Sequence, residues 1–175
     1  TFDEQPLASA SIAQVYRARL RDGDDTLDVV VKVQRPRVQA VMARDVDLLY
    51  WLAKAIVRSM PESHLYRPIS LVEEFDRSVA AELDFLLEAD NHERFTANFE
   101  HNPHAKFPRV YRRASAKRVL TLEYLEGRKV YDAERAGVSG ELMAKRAVEI
   151  IVQQIFEDGF FHADLHPANL LILPE

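Results

Sequence analysis

Two runs rich in β-branched and apolar residues, 15–20 and 27–33, are separated only by Arg21, Asp22, Gly23, Asp24 and Asp25. Aspartate and glycine supply turn chemistry at that spacing, so the two runs are predicted to close as a β-hairpin. Pro36 ends the second strand, and Val38, Val41, Met42, Leu48, Leu49, Leu52 and Ile56 then recur at three- and four-residue steps until Pro61, the pattern of an amphipathic helix. A second helix is expected to open at Pro68 with Ser70 and Glu73 as a capping box, and to carry Leu71, Phe75, Val79, Leu83 and Leu87 on to Phe95. After a loop over residues 98–108, two short runs, 109–111 and 119–124, read as strands. Leu142, Val148, Ile151, Val152, Ile155 and Phe156 mark a third helix over 141–157, with Gly159 placed as its left-handed cap. A polar stretch then leads into the apolar run 170–173. Strands, two helices, strands, helix, loop and strand in that order predict an α+β protein with a sheet-rich first part.

Composition narrows the function classes. The 175 residues are 47% hydrophobic and 29% charged, enough for one substantial core and too apolar for a disordered chain. The net charge of -5 gives no basic footprint for nucleic acid, so no nucleic-acid partner is expected. With no cysteine, disulfides, thiolate metal sites and a cysteine nucleophile are excluded. The most apolar windows, 48–57 and 148–156, are interrupted by Lys54 and by Gln153 and Gln154, well short of the roughly 18 apolar residues of a membrane span. The chain is expected to be soluble. It starts at Thr1 without a methionine and stops at Glu175 just after an apolar run, so both ends read as cuts in a longer protein.

The most informative segment is His162, Ala163, Asp164, Leu165, His166, Pro167, Ala168, Asn169. It matches the kinase catalytic-loop pattern, an aspartate after His-x and an asparagine five residues later, with alanine in place of arginine at 163. Phosphoryl transfer needs that spacing: an aspartate reaches the attacking hydroxyl while an amide oxygen nearby holds magnesium on the phosphates. His162 and His166 taken singly read as packing or loop hydrogen bonding, and a metal site of His162, Asp164 and His166 is the weaker reading because no distant third ligand stands out.

Lys32 ends the strand Val29, Val30, Val31, as in the apolar-strand-plus-lysine signature whose ammonium pairs with nucleotide phosphates. Taken alone it would be a solvated strand tip. A partner carboxylate is expected from the acidic helix, which offers Glu82, Asp84 and Glu88. Asp84 and Glu88 are four apart and share a helix face, whereas Glu82 and Asp84 lie about 200° apart on a regular helix. Before the hairpin, Leu7, Ala8, Ser9, Ala10, Ser11, Ile12 and Val15 fall where a kinase places its glycine-rich loop, but the segment has no glycine. Small side chains still let backbone N–H groups approach phosphate, while alanine and serine restrict φ, so the loop is expected to be stiff. Glu123 and Leu125 follow an apolar strand, at the place where a two-lobed kinase meets adenine.

In this combination and order the segments resemble the UbiB/ADCK family of atypical kinases, the bacterial UbiB proteins most closely. The alanine-rich loop is that family's departure from ordinary protein kinases. The resemblance covers nearly the whole chain and implies a protein-kinase-like two-lobed fold, with an antiparallel-sheet N-lobe, inserted helices and hinge over 1–125 and a partial helical C-lobe over 126–175. It implies Lys32 as the nucleotide lysine, Glu88 as its helix partner and Glu82 with Asp84 as the Glu-x-Asp motif by the substrate pocket. It likewise implies Asp164 as the catalytic aspartate and Asn169 as a magnesium ligand. ATP or ADP with magnesium are the implied cofactors. The implied activity is an atypical kinase or ATPase supporting ubiquinone biosynthesis, with adenine nucleotide, lipid or quinone-biosynthesis enzymes as partners. The family's Lys-x-Gly-Gln segment, its Asp-Phe-Gly-type metal aspartate and its membrane-anchoring helices fall outside this sequence. The fragment is therefore expected to be inactive by itself. The intact protein is expected at a membrane, facing the cytoplasm in a bacterium or in a mitochondrion or plastid otherwise. Two other readings stand beside this one: a small-molecule kinase of the choline and aminoglycoside kinase type, and a non-catalytic nucleotide-gated scaffold.

Overall fold

The computed structural model describes residues 1–164 and 166–174, with the backbone alone at 61, 63, 64 and 168. The chain divides into two compact units, Thr1–Asn91 with Val110–Glu123, and His92–Arg109 with Tyr124–Glu175.

The first unit is built on a four-stranded antiparallel sheet in the order β1-β2-β3-β4. The predicted hairpin is present and longer than its apolar runs: β2 (Ala13–Asp22) and β3 (Asp25–Gln34) pair without a slip from Ala13↔Gln34 to Asp22↔Asp25. Gly23, at φ 66°, takes the first central position of the connecting turn, a left-handed conformation that glycine adopts at no steric cost. β4 (Val119–Glu123) adds to the other side of β3, from Val33↔Val119 to Val29↔Glu123. The short strand expected at 109–111 reduces to a bridge between Val110 and Leu122.

The loop expected over residues 7–15 is largely strand. β1 (Phe2–Ser9) pairs along β2, with register shifts around Pro6, and the connecting turn shrinks to residues 10–12. The exposed edge of β2 offers unpaired backbone groups, and pairing there outweighs the modest β-propensity of alanine and serine. Pro6 is tolerated because an edge strand can spare an N–H at an irregularity.

α1 (Val38–Ser59) forms as the periodicity predicts. α2 (Pro68–Glu82) begins at the proline itself, so Ser70 lies inside the helix and the expected capping box does not form. The Tyr50 hydroxyl donates to Asp76 at 3.3 Å and ties the two helices. The single long helix expected through residue 95 is broken: α2 ends at Glu82, and α3 (Phe85–Asn98) starts anew with Asp84 accepting from the Leu86 N–H at 3.1 Å. An aspartate at a helix start satisfies one orphan donor, and this local bond competes with continuing the helix. Phe85 and Ala89, one turn apart on α3, are buried with Ala13, Val110, Leu120 and Leu122 in the core of this unit.

In the second unit, Phe95 and Phe99 pack on Phe107 with ring centroids 4.8 and 5.1 Å apart, and Phe160 lies 4.6 Å from Phe95. Here α4 (Val130–Arg135) and β5 (Arg128–Lys129) were not anticipated, while the strand expected in the run 170–173 forms as β6 (Leu171–Ile172), antiparallel to β5. α5 (Gly140–Val152), capped by Ser139, covers the first part of the predicted third helix, and a π-helical turn at Gln153–Glu157 completes it. Gly159, at φ 57°, supplies the left-handed residue after it.

Candidate active site

Lys32 occupies the central strand β3, with Val15 of β2 and Leu120 of β4 as its cross-strand neighbours. Its Nζ donates to both carboxylate oxygens of Glu88, at 2.8 and 2.7 Å. The two side chains are 25% and 33% exposed, so the pair is half-buried. Beneath the ammonium lies the ring of Phe85, with its centroid 4.8 Å from Nζ, and Phe85 is fully buried. Phe85 and Glu88 are three apart and therefore share a face of α3, so burying the ring brings the carboxylate to the lysine. An ammonium held between a carboxylate and an aromatic face is fixed in place, which suits it to meet an anion.

Of the other acidic candidates, Asp84 caps α3 and approaches the Lys117 ammonium at 3.5 Å, while Glu82 is exposed in the last turn of α2. Leu7, Ala8 and Ser9 belong to β1, Val15 to β2, and only Ala10, Ser11 and Ile12 form the turn. Arg35 holds that turn from β3's exit. Its Nε donates to the Ala10 carbonyl at 3.0 Å, its guanidinium to the Ser9 hydroxyl at 2.7 Å, and its backbone N–H to the Ile12 carbonyl at 2.8 Å. Neither Ala8 nor Ala10 has positive φ. Glu123 closes β4 opposite Val29, and Leu125 lies two residues on, in the second unit.

The second unit brings Asp164 and Asn169 together. Asn169 Nδ2 donates to the Asp164 carboxylate at 2.9 Å and to its backbone carbonyl at 3.2 Å. A turn of 3-10 helix, Pro167–Asn169, sets the asparagine, whose N–H bonds to the His166 carbonyl at 2.8 Å. His162 Nδ1 accepts from the Asp164 N–H at 3.1 Å, and Gln154, 1% exposed, accepts the His162 N–H at 2.9 Å. The histidine thus shapes the loop. Leu165 of the predicted catalytic segment lies outside the described residues. With Nδ2 engaged, Asn169 Oδ1 remains as a hard oxygen donor. Among the described residues no group of three or more His, Asp or Glu could hold a metal by itself. One amide oxygen fits magnesium, which is commonly held by one or two protein oxygens together with waters and nucleotide phosphates.

A kinase-type lysine–glutamate pair and an aspartate–asparagine loop point to one family, and comparison with known proteins agrees. The ABC1 atypical kinase-like domain matches residues 1–175. The chain belongs to the ABC1 atypical kinase-like family. At the level of this domain that is the family the sequence resembled. A solved structure, the Rv3197–erythromycin complex from Mycobacterium tuberculosis, aligns with a TM-score of 0.83 at 28% identity, over 99% of this chain and 43% of that one. This ABC1 domain thus spans less than half the length of that relative, and its kinase-like α+β fold is shared with it. No helix among its described residues is long and apolar enough to cross a membrane.

Four contributors to the site escaped sequence reasoning. Gln34 and Arg35 carry no motif, although Gln34 stands two residues from Lys32 and so on the same strand face. Phe85 falls outside the apolar set expected for the second helix, and its spacing of three from Glu88 was the available signal. Gln154 read as a polar interruption of an apolar helix, the usual sequence trace of a buried amide with a partner.

Proposed function

We propose that this chain is the nucleotide-binding part of an atypical kinase or ATPase that takes ATP or ADP with magnesium and supports ubiquinone biosynthesis. The observation that carries the reading is the bidentate Lys32–Glu88 pair over Phe85, at positions matching the family's nucleotide lysine and its helix glutamate. Lys32 would meet the α and β phosphates, Asp164 would accept the proton of the attacking hydroxyl or water, and Asn169 Oδ1 would hold magnesium. Bound magnesium would neutralise charge on the phosphates. Leu7 to Ile12, Val15, Glu123 and Leu125 would contact the nucleotide, and Glu82 with Asp84 would border the substrate pocket. The Arg35 bonds support a stiff turn that holds back from the γ-phosphate.

Titration of ADP and ATP, with and without magnesium, into the intact protein and its Lys32→Met variant tests the reading. Loss of a charge-assisted contact to phosphate should weaken binding about tenfold to a hundredfold. Equal affinities, or no nucleotide binding by the wild type, would overturn it. Asp164→Asn should abolish ATP turnover and leave binding in place. Cells carrying only that variant should lose ubiquinone, and undiminished quinone content would remove the biosynthetic role. Glycine at Ala8 or Ala10 should shift the balance between ATP and ADP affinity, because it opens backbone conformations that these negative-φ residues do not use.

A further inference from the structure

α3 alone does not determine that Glu88 meets Lys32. The chain breaks at Leu83 and Asp84, and a helix that starts anew after a break can take many directions and registers unless its first turn is held. Gln34 holds it. This residue ends β3, is 8% exposed, and stands two beyond Lys32 on the same face of the sheet. Its Nε2 donates to the Leu83 carbonyl at 2.7 Å and lies 3.5 Å from the Lys117 carbonyl. Those two carbonyls fix the amide's orientation, since the rotated amide would set its oxygen against both. The Lys117 carbonyl also accepts the Phe85 N–H at 3.0 Å, and the Gln34 N–H donates to the Arg118 carbonyl at 3.0 Å. The break before α3, the first residue of α3 and the approach to β4 are thus joined at the end of β3. Gln34 Oε1 is buried with no hydrogen-bond partner. A buried oxygen left unmet is unfavourable, so the residue contributes here through its donor half.

We propose that Gln34 is a positioning residue for the Lys32–Glu88 pair. By gripping the Leu83 carbonyl it sets the start and register of α3, so that Phe85 enters the core below the ammonium and Glu88, three residues on, arrives at Lys32. Its effect on nucleotide binding rests on the reading of Lys32 given above, whereas its effect on the pair does not.

The test separates the two. Lys32 reactivity towards an acylating reagent, followed by peptide mass spectrometry against exposed Lys145, reports whether the side chain is paired, because a nitrogen held by both carboxylate oxygens over a buried ring is shielded from the reagent. In the intact protein, Glu88→Gln marks the unpaired limit. Gln34→Met, of similar length and without donors, should leave far-ultraviolet circular dichroism unchanged and raise Lys32 acylation several-fold towards that limit, with Lys145 unaffected. ADP affinity should fall in parallel. Faster acylation with unchanged ADP affinity would uphold the positioning role and remove Lys32 from nucleotide binding. Unchanged Lys32 acylation in a folded Gln34→Met protein would overturn the proposal whatever the affinity, and so would a Glu88→Gln variant no more reactive than wild type. If Gln34→Met does not fold, Gln34→Asn, which keeps the donor but falls short of Leu83, should show part of the rise. Failure of both variants to fold would overturn the proposal, because Gln34 would then serve the core as a whole.

Discussion

The polar pairs Lys32–Glu88 and Asp164–Asn169 are built in opposite ways. Lys32 and Glu88 are 56 residues apart, half-buried, and brought together by sheet register, a buried phenylalanine and a helix break. Asp164 and Asn169 are five apart, exposed, and joined by a single loop turn. The first pair exists only if the unit around it is packed, so changes there are felt as stability as well as chemistry. The second depends on hydrogen bonds within a short loop, so changes there should leave the fold intact and be felt in function. Mutations can break this contrast or sharpen it.

The largest effect is expected from Phe85→Ala. The ring is fully buried in the core of the first unit, and truncating such a residue costs about 3–5 kcal/mol. Denaturant unfolding should show the loss, and Lys32 should lose the aromatic face below it. A loss under about 1 kcal/mol would mean that α3 is not anchored by this residue. Glu88→Ala comes next. Exposed pairs are worth about 0–1 kcal/mol, whereas breaking a fully buried one from one side costs about 3–5. At 25% and 33% exposure an intermediate value, roughly 1–3 kcal/mol, is expected. A double-mutant cycle with Lys32→Met would check it, and additive effects would show that the two residues do not interact.

These two residues also mark how far the sequence could be read. Lys32 was legible from a local signature, an apolar strand with a lysine at its end, and Glu88 only as one of three carboxylates on an acidic helix. That they meet was an expectation carried by family resemblance, because a 56-residue separation leaves no periodic trace. The loop 162–169 was legible as a motif, but the bonds from Asn169 to Asp164 were not anticipated. What else stayed hidden depended on distant partners. β1 forms because β2 has an open edge, and nothing local in Leu7, Ala8 and Ser9 distinguishes a strand from a turn. The split between α2 and α3 was hidden by continuous apolar spacing through Leu83 and Leu87, while its causes, the Asp84 cap and the grip of Gln34 on the Leu83 carbonyl, are tertiary or compete only weakly in sequence.

Asp84 offers a smaller test within the first unit. Its Oδ1 caps α3 and its carboxylate approaches Lys117 at 3.5 Å, so Asp84→Ala should cost about 1 kcal/mol, the usual value of a helix cap. Asp84→Asn, which can still accept from the Leu86 N–H, should recover most of that stability. If the alanine variant were as stable as wild type, the break before α3 would owe nothing to the cap, and Gln34 would be left to hold it.

The smallest effect on stability is expected from Asn169→Ala, and this is the sharpest test of the contrast. The asparagine is exposed, its side-chain bonds go to Asp164 in the same loop, and its backbone bond to His166 survives the substitution. Exposed substitutions of this kind usually change stability by no more than about 0.5 kcal/mol, so the denaturation midpoint should be nearly that of wild type. Function should respond differently. Removing the amide takes away Oδ1, the oxygen proposed to hold magnesium, and frees the Asp164 carboxylate from its donor. Magnesium-dependent nucleotide affinity in the intact protein should therefore fall, while affinity measured without magnesium stays the same. A large loss of stability would show that this loop is as deeply tied to its surroundings as Lys32 and Glu88 are to theirs. An unchanged magnesium dependence would leave the Asp164–Asn169 pair as a loop-shaping contact and detach it from the chemistry.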